Sequence, residues 1–593
     1  MDQVWFELGD VRKRRLEGSV WIPLRAIHSK MTSGKSGHIG YREEFFGAGS
    51  VAVFGKHRNE AETLGWTDIG ISNEHAGCIQ DGRYVPSDVY ESYEGIHIGM
   101  HLVLEQRVNK DEVREWYLHQ DLVLAFGLKR EGDTWVAPNI GYIEVARLHR
   151  DQTKKPYLLE LRAEYLKDYL CARDMALYVT SYWNREEVVA SAEHVTWPEN
   201  PFRESGAGDR WEGRIMPIHE GGHPFGAETA VFHVSRTDVD PHEDVPTFGI
   251  SDNDSVASRS WTETHEGQKV FRIQGELWRN EWVEPGAQSP RIRGDELPPS
   301  VFFISDAAGQ QESKTTLVKG SRWLWFRPDV VMALAHRRGG GLHWYTRDTG
   351  AVRCSPDYDV HFGINAVGLV NVYAKDIALL PDWQQRIWAG HNVGPEGGVS
   401  DELLASQMKA DPAETQAPED FLERGLVLLN EAASKTHGIE FVREHEHRKH
   451  LLSVAHRFRA VDQAGFFALA KDLARLTADS FDSVAMQRIV SPPKGTQWRS
   501  LKSLENLVAL HTGAESAHQL VGPLFGIYEL RHPDAHLPSS NLSEAYRLAD
   551  VDQSRPLVFQ AYQMLDSCVA TLWSLAKILE QPRIAAKPTV VGD

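Results

Sequence analysis

Near its C-terminal end the chain reads Leu530-Arg531-His532-Pro533-Asp534-Ala535-His536, and these residue types suit phosphodiester chemistry. A ribose 2′-OH beside a phosphodiester needs a base to take its proton, a cation for the charge on the phosphorane oxygens, and an acid for the leaving 5′-oxygen. An imidazole near its own pKa and a guanidinium fork supply all of these without a metal. Such a site would cut RNA and spare DNA, which lacks the nucleophile.

The flanking segments predict how these side chains are held. From about Glu515 to Leu530, the residues Leu520, Val521, Leu524, Phe525, Ile527, Tyr528 and Leu530 form the stripe of a buried helical face. Pro533 stops that helix, because it lacks a backbone donor and disfavours helical geometry at His532. Pro538, Ser539 and Ser540 then offer a turn and an N-cap ahead of a second apolar pattern from about Pro556 to Leu579. Two packed helices would hold the Arg and both His at one end of a bundle, where their tips can converge on a phosphate.

An Arg followed by four residues and a His, with a polar residue directly after the Arg, resembles the motif of the HEPN superfamily. Those are helical domains, many of them metal-independent ribonucleases of toxin, abortive-infection and CRISPR-associated systems. The resemblance covers the C-terminal third of the chain. It implies Arg531 as the phosphate-binding cation, His536 as the general acid/base and His532 as the polar residue after the Arg. It also implies RNA as substrate, no cofactor or metal, and a homodimer, since two such motifs usually meet across a dimer interface. Pro533 departs from the usual helix-borne motif. The spacing is not distinctive by itself: Arg114/His119, Arg214/His219, Arg338/His343, Arg386/His391 and others repeat it closely. What separates Arg531/His536 is its place between two apolar helices. In the alternative reading Arg531 pairs with an acid such as Glu529 or Asp534, and the two His decorate a turn.

At 593 residues the chain exceeds one core. A net charge of −19 argues against non-specific coating of nucleic acid, so any RNA contact must be local. The basic runs Arg12-Lys13-Arg14-Arg15 and Arg337-Arg338 read as solvated surface. Cys78, Cys171, Cys354 and Cys568 lack paired spacing, so neither a zinc knuckle nor a disulfide framework is expected. No basic segment precedes an apolar run at the start and no stretch nears bilayer-spanning length, so a cytoplasmic protein without membrane contact is expected.

Residues 1–150 read as a β-rich region. There Gly34-Lys35-Ser36 imitates the end of a phosphate-binding loop, but Ser29 stands where its first glycine belongs and no apolar strand leads in. Residues 151–391 read as an α+β module. Within it, strand, helix and strand patterns around Leu158–Trp183 recur around Trp323–Thr346, which suggests a duplicated β-α-β element. Between them His219-Glu220-Gly221-Gly222-His223 matches the H-E-x-x-H string of zinc peptidases. That chemistry needs a helix, whereas two adjacent glycines cost about 2 kcal/mol of helix propensity and Pro224 follows, so a loop is expected. Trp278 and Trp282 share a strand face and are expected to fill a core; residues 307–319 read as an exposed loop. Residues 392–418, rich in Gly and Pro, read as a linker, and 419–593 as a helical domain that includes a helix over Phe441–Ala460. The Glu444–His450 cluster reads as a solvated helix face.

The expectation is therefore a multidomain α+β protein: a β-rich α+β module with an internal duplication, then an all-α, HEPN-like bundle. The expected function is a metal-independent endoribonuclease of a defence or toxin system, restrained by a sensing module that takes a protein or small-molecule activator. The alternative is a non-catalytic dimerisation or nucleotide-binding bundle joined to a ligand- or protein-binding domain.

Overall fold

The computed structural model describes residues 1–70, 78–80, 83–85, 90–91, 97–108, 113–221, 228–237, 255–264, 267–531 and 539–583. The chain forms two compact units, Met1–Leu297 and Pro298–Asp593.

The first unit is built on a twelve-stranded sheet whose pairings are all antiparallel. Its central strand, Met175–Val189, pairs with Arg42–Phe54 on one side and Lys269–Val283 on the other. Beyond Arg42–Phe54 lie Trp21–Ser33, Pro156–Arg162 and Ile143–Arg150 in that order. The helix Ala163–Arg173 ends at Asp174, which adopts a left-handed φ of 54°. Its Tyr165, Leu166, Tyr169 and Leu170 bury against Ile22, Leu24, Leu159, Leu161 and Leu177 of the sheet. Trp66 crosses the strand at Gly47, where a Cβ would stand 2.2 Å from its ring, so no side chain fits there. The run Arg12–Arg15 is folded onto this sheet. Arg12 pairs with Glu204, Arg15 with Asp209 at 2.8 Å, and the buried Arg279 donates to Asp209 and to the Arg14 carbonyl.

The second unit joins a six-stranded antiparallel sheet to a helical bundle. The sheet runs Gly341–Trp344, Thr349–Arg353, Val360–Ile364, Val370–Tyr373, Trp323–Phe326 and Asn392–Val393. The bundle helices include Leu422–His437, Gln463–Leu476, Ser500–Thr512, Ala514–Leu530 and Leu557–Leu579. Leu429, Phe466, Leu473, Leu507, Leu524 and Leu565 are among the side chains of its core. Phe458 and Val558, from the helical part, are buried in the core of the sheet. Beside them Arg457, fully buried, donates Nε and Nη2 to the two carboxylate oxygens of Glu419 at 2.8 Å each and Nη1 to the Arg347 carbonyl at 2.8 Å. Its guanidinium also lies 4.3 Å from the Trp344 ring centre and 4.6 Å from that of Tyr562.

The α+β class and the helical character of the C-terminal region agree with the sequence. The boundary differs: the strands Pro156–Arg162 and Met175–Val189 share a sheet with Trp21–Ser33, so residues 151–297 fold with the first 150, and 298–391 with the helices. Residues 392–418 supply an edge strand and the helix Asp401–Lys409, with Leu403 buried, rather than a bare linker. Within 307–319, Gln311–Ser313 is a strand and Leu317 is buried, so that stretch is not simply an exposed loop. The expected helix over Phe441–Ala460 shrinks to Arg448–Val454. Asn430 Oδ1 takes the Phe441 and Val442 N–H groups, and Val442 bridges to Phe481, so the first turn is drawn into other bonds. The two strand-helix-strand segments both form, but in different settings. The first pair of strands is antiparallel with two strands between them; the second is parallel with three between.

Candidate functional site

Arg531 caps the C-terminal end of the helix Ala514–Leu530, with φ −68° and ψ −17°. The helix forms because Val521, Leu524, Ile527 and Leu530 all turn into the bundle core. Tyr528, which packs against that core from its edge, carries the Arg531 guanidinium 3.6 Å above its ring centre. Nη1 donates to both oxygens of Asp479, at 2.7 and 2.8 Å, while Nε is buried without a hydrogen-bond partner among the described residues. The Arg531 side chain is 16% exposed and that of Asp479 44%. Asp479 sits in the turn after Gln463–Leu476, with its N–H on the Ala474 carbonyl and its own carbonyl accepting from Arg443 Nη2 at 2.9 Å. The result, among the described residues, is a cation fixed between the Tyr528 ring and the Asp479 carboxylate at a helix end.

His532 and His536 lie outside the described residues, so of the three predicted site residues only Arg531 has a described place. Among the described residues its partner is Asp479, which no local pattern links to it, rather than the sequence neighbour Glu529; Asp534, the other acid weighed, lies outside the described residues.

The other sequence motifs fall elsewhere. His219 ends the strand Asp209–His219, and Gly221 follows at φ 79°, so no helix carries the H-E-x-x-H string. His219 Nδ1 meets the Gly267 carbonyl at 2.7 Å and Glu220 accepts from Gln268 at 3.0 Å; His223 lies outside the described residues. Gly34-Lys35-Ser36 turns the hairpin between Trp21–Ser33 and Arg42–Phe54, with no helix after it to present N–H groups to a phosphate. Glu444, Glu446 and His447 are exposed, on irregular backbone rather than on a helix. Trp278 and Trp282 do share a face, opposite Tyr182 and Tyr178, and both are half-buried. Among the described residues no group of three or more His, Cys, Asp or Glu is placed to hold a metal ion, and no helix is long and apolar enough to cross a membrane.

Sequence reasoning missed a second polar arrangement, where three helices of the bundle end. Arg583 Nη2 approaches His437 Nδ1 at 2.9 Å, His437 Nε2 approaches His511 Nε2 at 3.0 Å, and His511 Nδ1 approaches the Gln581 carbonyl at 2.8 Å. The carbonyl can only accept, so His511 donates from Nδ1 and its Nε2 accepts from His437 Nε2, while His437 Nδ1 accepts from Arg583. Burial and the adjoining Arg583 push the His437 pKa down to about 4. Histidines near helix ends were visible in the sequence, but their meeting across 74 positions was not. No protein-family model, curated protein or solved structure matches this chain.

Proposed function

We propose that this protein is a metal-independent endoribonuclease of HEPN type, active as a homodimer and restrained by its N-terminal unit. Arg531 binds the scissile phosphate, His536 exchanges the protons of the 2′-OH and the leaving oxygen, and His532 assists as the polar residue beside the cation. The observation that carries the reading is the placement of Arg531: a guanidinium held at a helix end by Tyr528 and Asp479. A cation fixed in place needs little reorganisation when charge develops on a phosphorane. At rest Asp479 holds Nη1; an incoming phosphate competes with that carboxylate for the same donor.

The same ion pair favours a second reading, in which the bundle is a non-catalytic dimerisation or nucleotide-binding module. There Arg531 is neutralised for good and ties the helix end to the turn at Asp479.

The two readings separate in one experiment: cleavage of total RNA and a labelled tRNA pool in EDTA by the full chain, His536→Ala and Arg531→Ala. The ribonuclease reading expects products with 2′,3′-cyclic phosphate ends from the parent chain and none from either variant. Products that persist in both variants, or an intact chain that dimerises but does not cut under any added lysate fraction, would leave the second reading.

A further inference from the structure

The second unit contains a cleft of about 660 Å³, walled by Leu342 and Trp344 near the free edge of the strand Gly341–Trp344. His456 lines it and is only 5% exposed, yet its ring makes no hydrogen bond among the described residues and Nδ1 is wholly buried. A buried polar ring without a partner costs stability unless something fills the role. His336, exposed at the rim, stands across from it with ring centres 6.4 Å apart. Arg459 completes the lining, its Nε 3.1 Å from the buried carboxylate of Asp472.

The charges around these rings decide what the cleft would take. Burial and the Arg459 guanidinium both hold the His336 pKa below the usual imidazole value. Arg337 and Arg338, which follow His336 in the sequence, are exposed. Glu419 also lines the cleft, its carboxylate paired with Arg457 as Arg459 is paired with Asp472, and its charge reaches His456. Asp420 at the rim is the opposing carboxylate. Arg459 is the arginine of the lining, its Nη groups available beside two imidazoles and an apolar wall, an arrangement that suits an anion attached to a flat apolar body.

We propose that this cleft binds a nucleotide phosphate, either of a free mononucleotide or of an RNA strand, with Arg459 and His336 facing the anion and His456 bonding to it or to the attached sugar. The inference stands apart from Arg531 and does not rest on the ribonuclease reading.

Calorimetric titration of the full chain with 5′-AMP, 5′-GMP, inorganic phosphate and a 2′-O-methyl RNA decamer tests it, since the decamer cannot be cut through a 2′-OH. Two variants accompany the parent chain. Arg459→Gln with Asp472→Asn removes the cation while neutralising its buried partner, and Asp420→Asn removes the opposing charge at an exposed position. The expected result is saturable binding, weakened about tenfold or more in the double variant and tightened in Asp420→Asn. Binding of mononucleotides with this pattern assigns a small-ligand site, and binding of the decamer alone assigns a strand path. Binding of nothing, or affinities that neither variant changes, overturns the proposal. A thermal melt of each variant, unchanged from the parent, shows that the cleft is folded.

Discussion

Arg531 and Asp479, 52 positions apart, are joined through one nitrogen: Nη1 donates to both carboxylate oxygens, at 2.7 and 2.8 Å. The pair thus occupies one terminal nitrogen of the fork, whereas a bidentate pair would use two. Asp479→Asn is expected to cost only about 1 kcal/mol of stability, because the carboxylate is nearly half exposed. It is also expected to strengthen RNA binding, since a competing anion is removed. Filter binding of 2′-O-methyl RNA measures this; weaker binding in the variant would make Asp479 a positioning residue rather than a competitor.

Arg457 is expected to be among the residues the second unit least tolerates losing. It is fully buried, and its bidentate bond holds the Glu419 carboxyl below the usual carboxylate range although burial alone would raise it. Arg457→Ala leaves that carboxylate buried and unpaired, at an expected cost of about 3–5 kcal/mol. Urea unfolding followed by far-ultraviolet dichroism would read the loss. Glu419→Gln together with Arg457→Met should recover much of it, because neither residue then carries an uncompensated charge.

Acid should weaken the second unit as two buried histidines are forced to take up protons. Burial and neighbouring arginines depress both His437 and His456 to about 4 in the folded chain, against about 6.5 when unfolded. The unfolded chain therefore binds more protons between these values, and stability present above pH 6.5 falls as pH drops toward 4. Melting temperature measured from pH 7.5 to 4 should decline in that window, and less steeply in His437→Gln. An identical slope in that variant would remove the clamp formed by His437, His511 and Arg583 as a source of the effect.

Gly47 should resist even alanine. The added Cβ would stand 2.2 Å from the Trp66 ring, which must then shift. An expected loss of about 1–3 kcal/mol in the first unit follows. Tryptophan fluorescence during urea titration would report it, and Gly55→Ala, where a Cβ meets nothing within 4 Å, serves as the control.

Local pattern determined much of this protein's secondary structure. The apolar stripe before Arg531 forms the helix Ala514–Leu530, and the strand-helix-strand patterns around Leu158–Trp183 and Trp323–Thr346 form their strands and helices, the helix Ala163–Arg173 and the strand Trp323–Phe326 among them. Two glycines and a proline were enough to deny a helix at His219, because backbone preference acts within a few residues. Pairing across long separations left no such trace. Which strands of residues 151–297 join the first sheet depends on antiparallel partners more than 100 positions away, such as Trp21 with Arg162 and Val179 with Ser50. The same holds for polar partners: Asp479 for Arg531, Glu419 for Arg457 and His511 for His437 are chosen by the packing of helices, and only the tertiary structure brings each charge or ring to its mate.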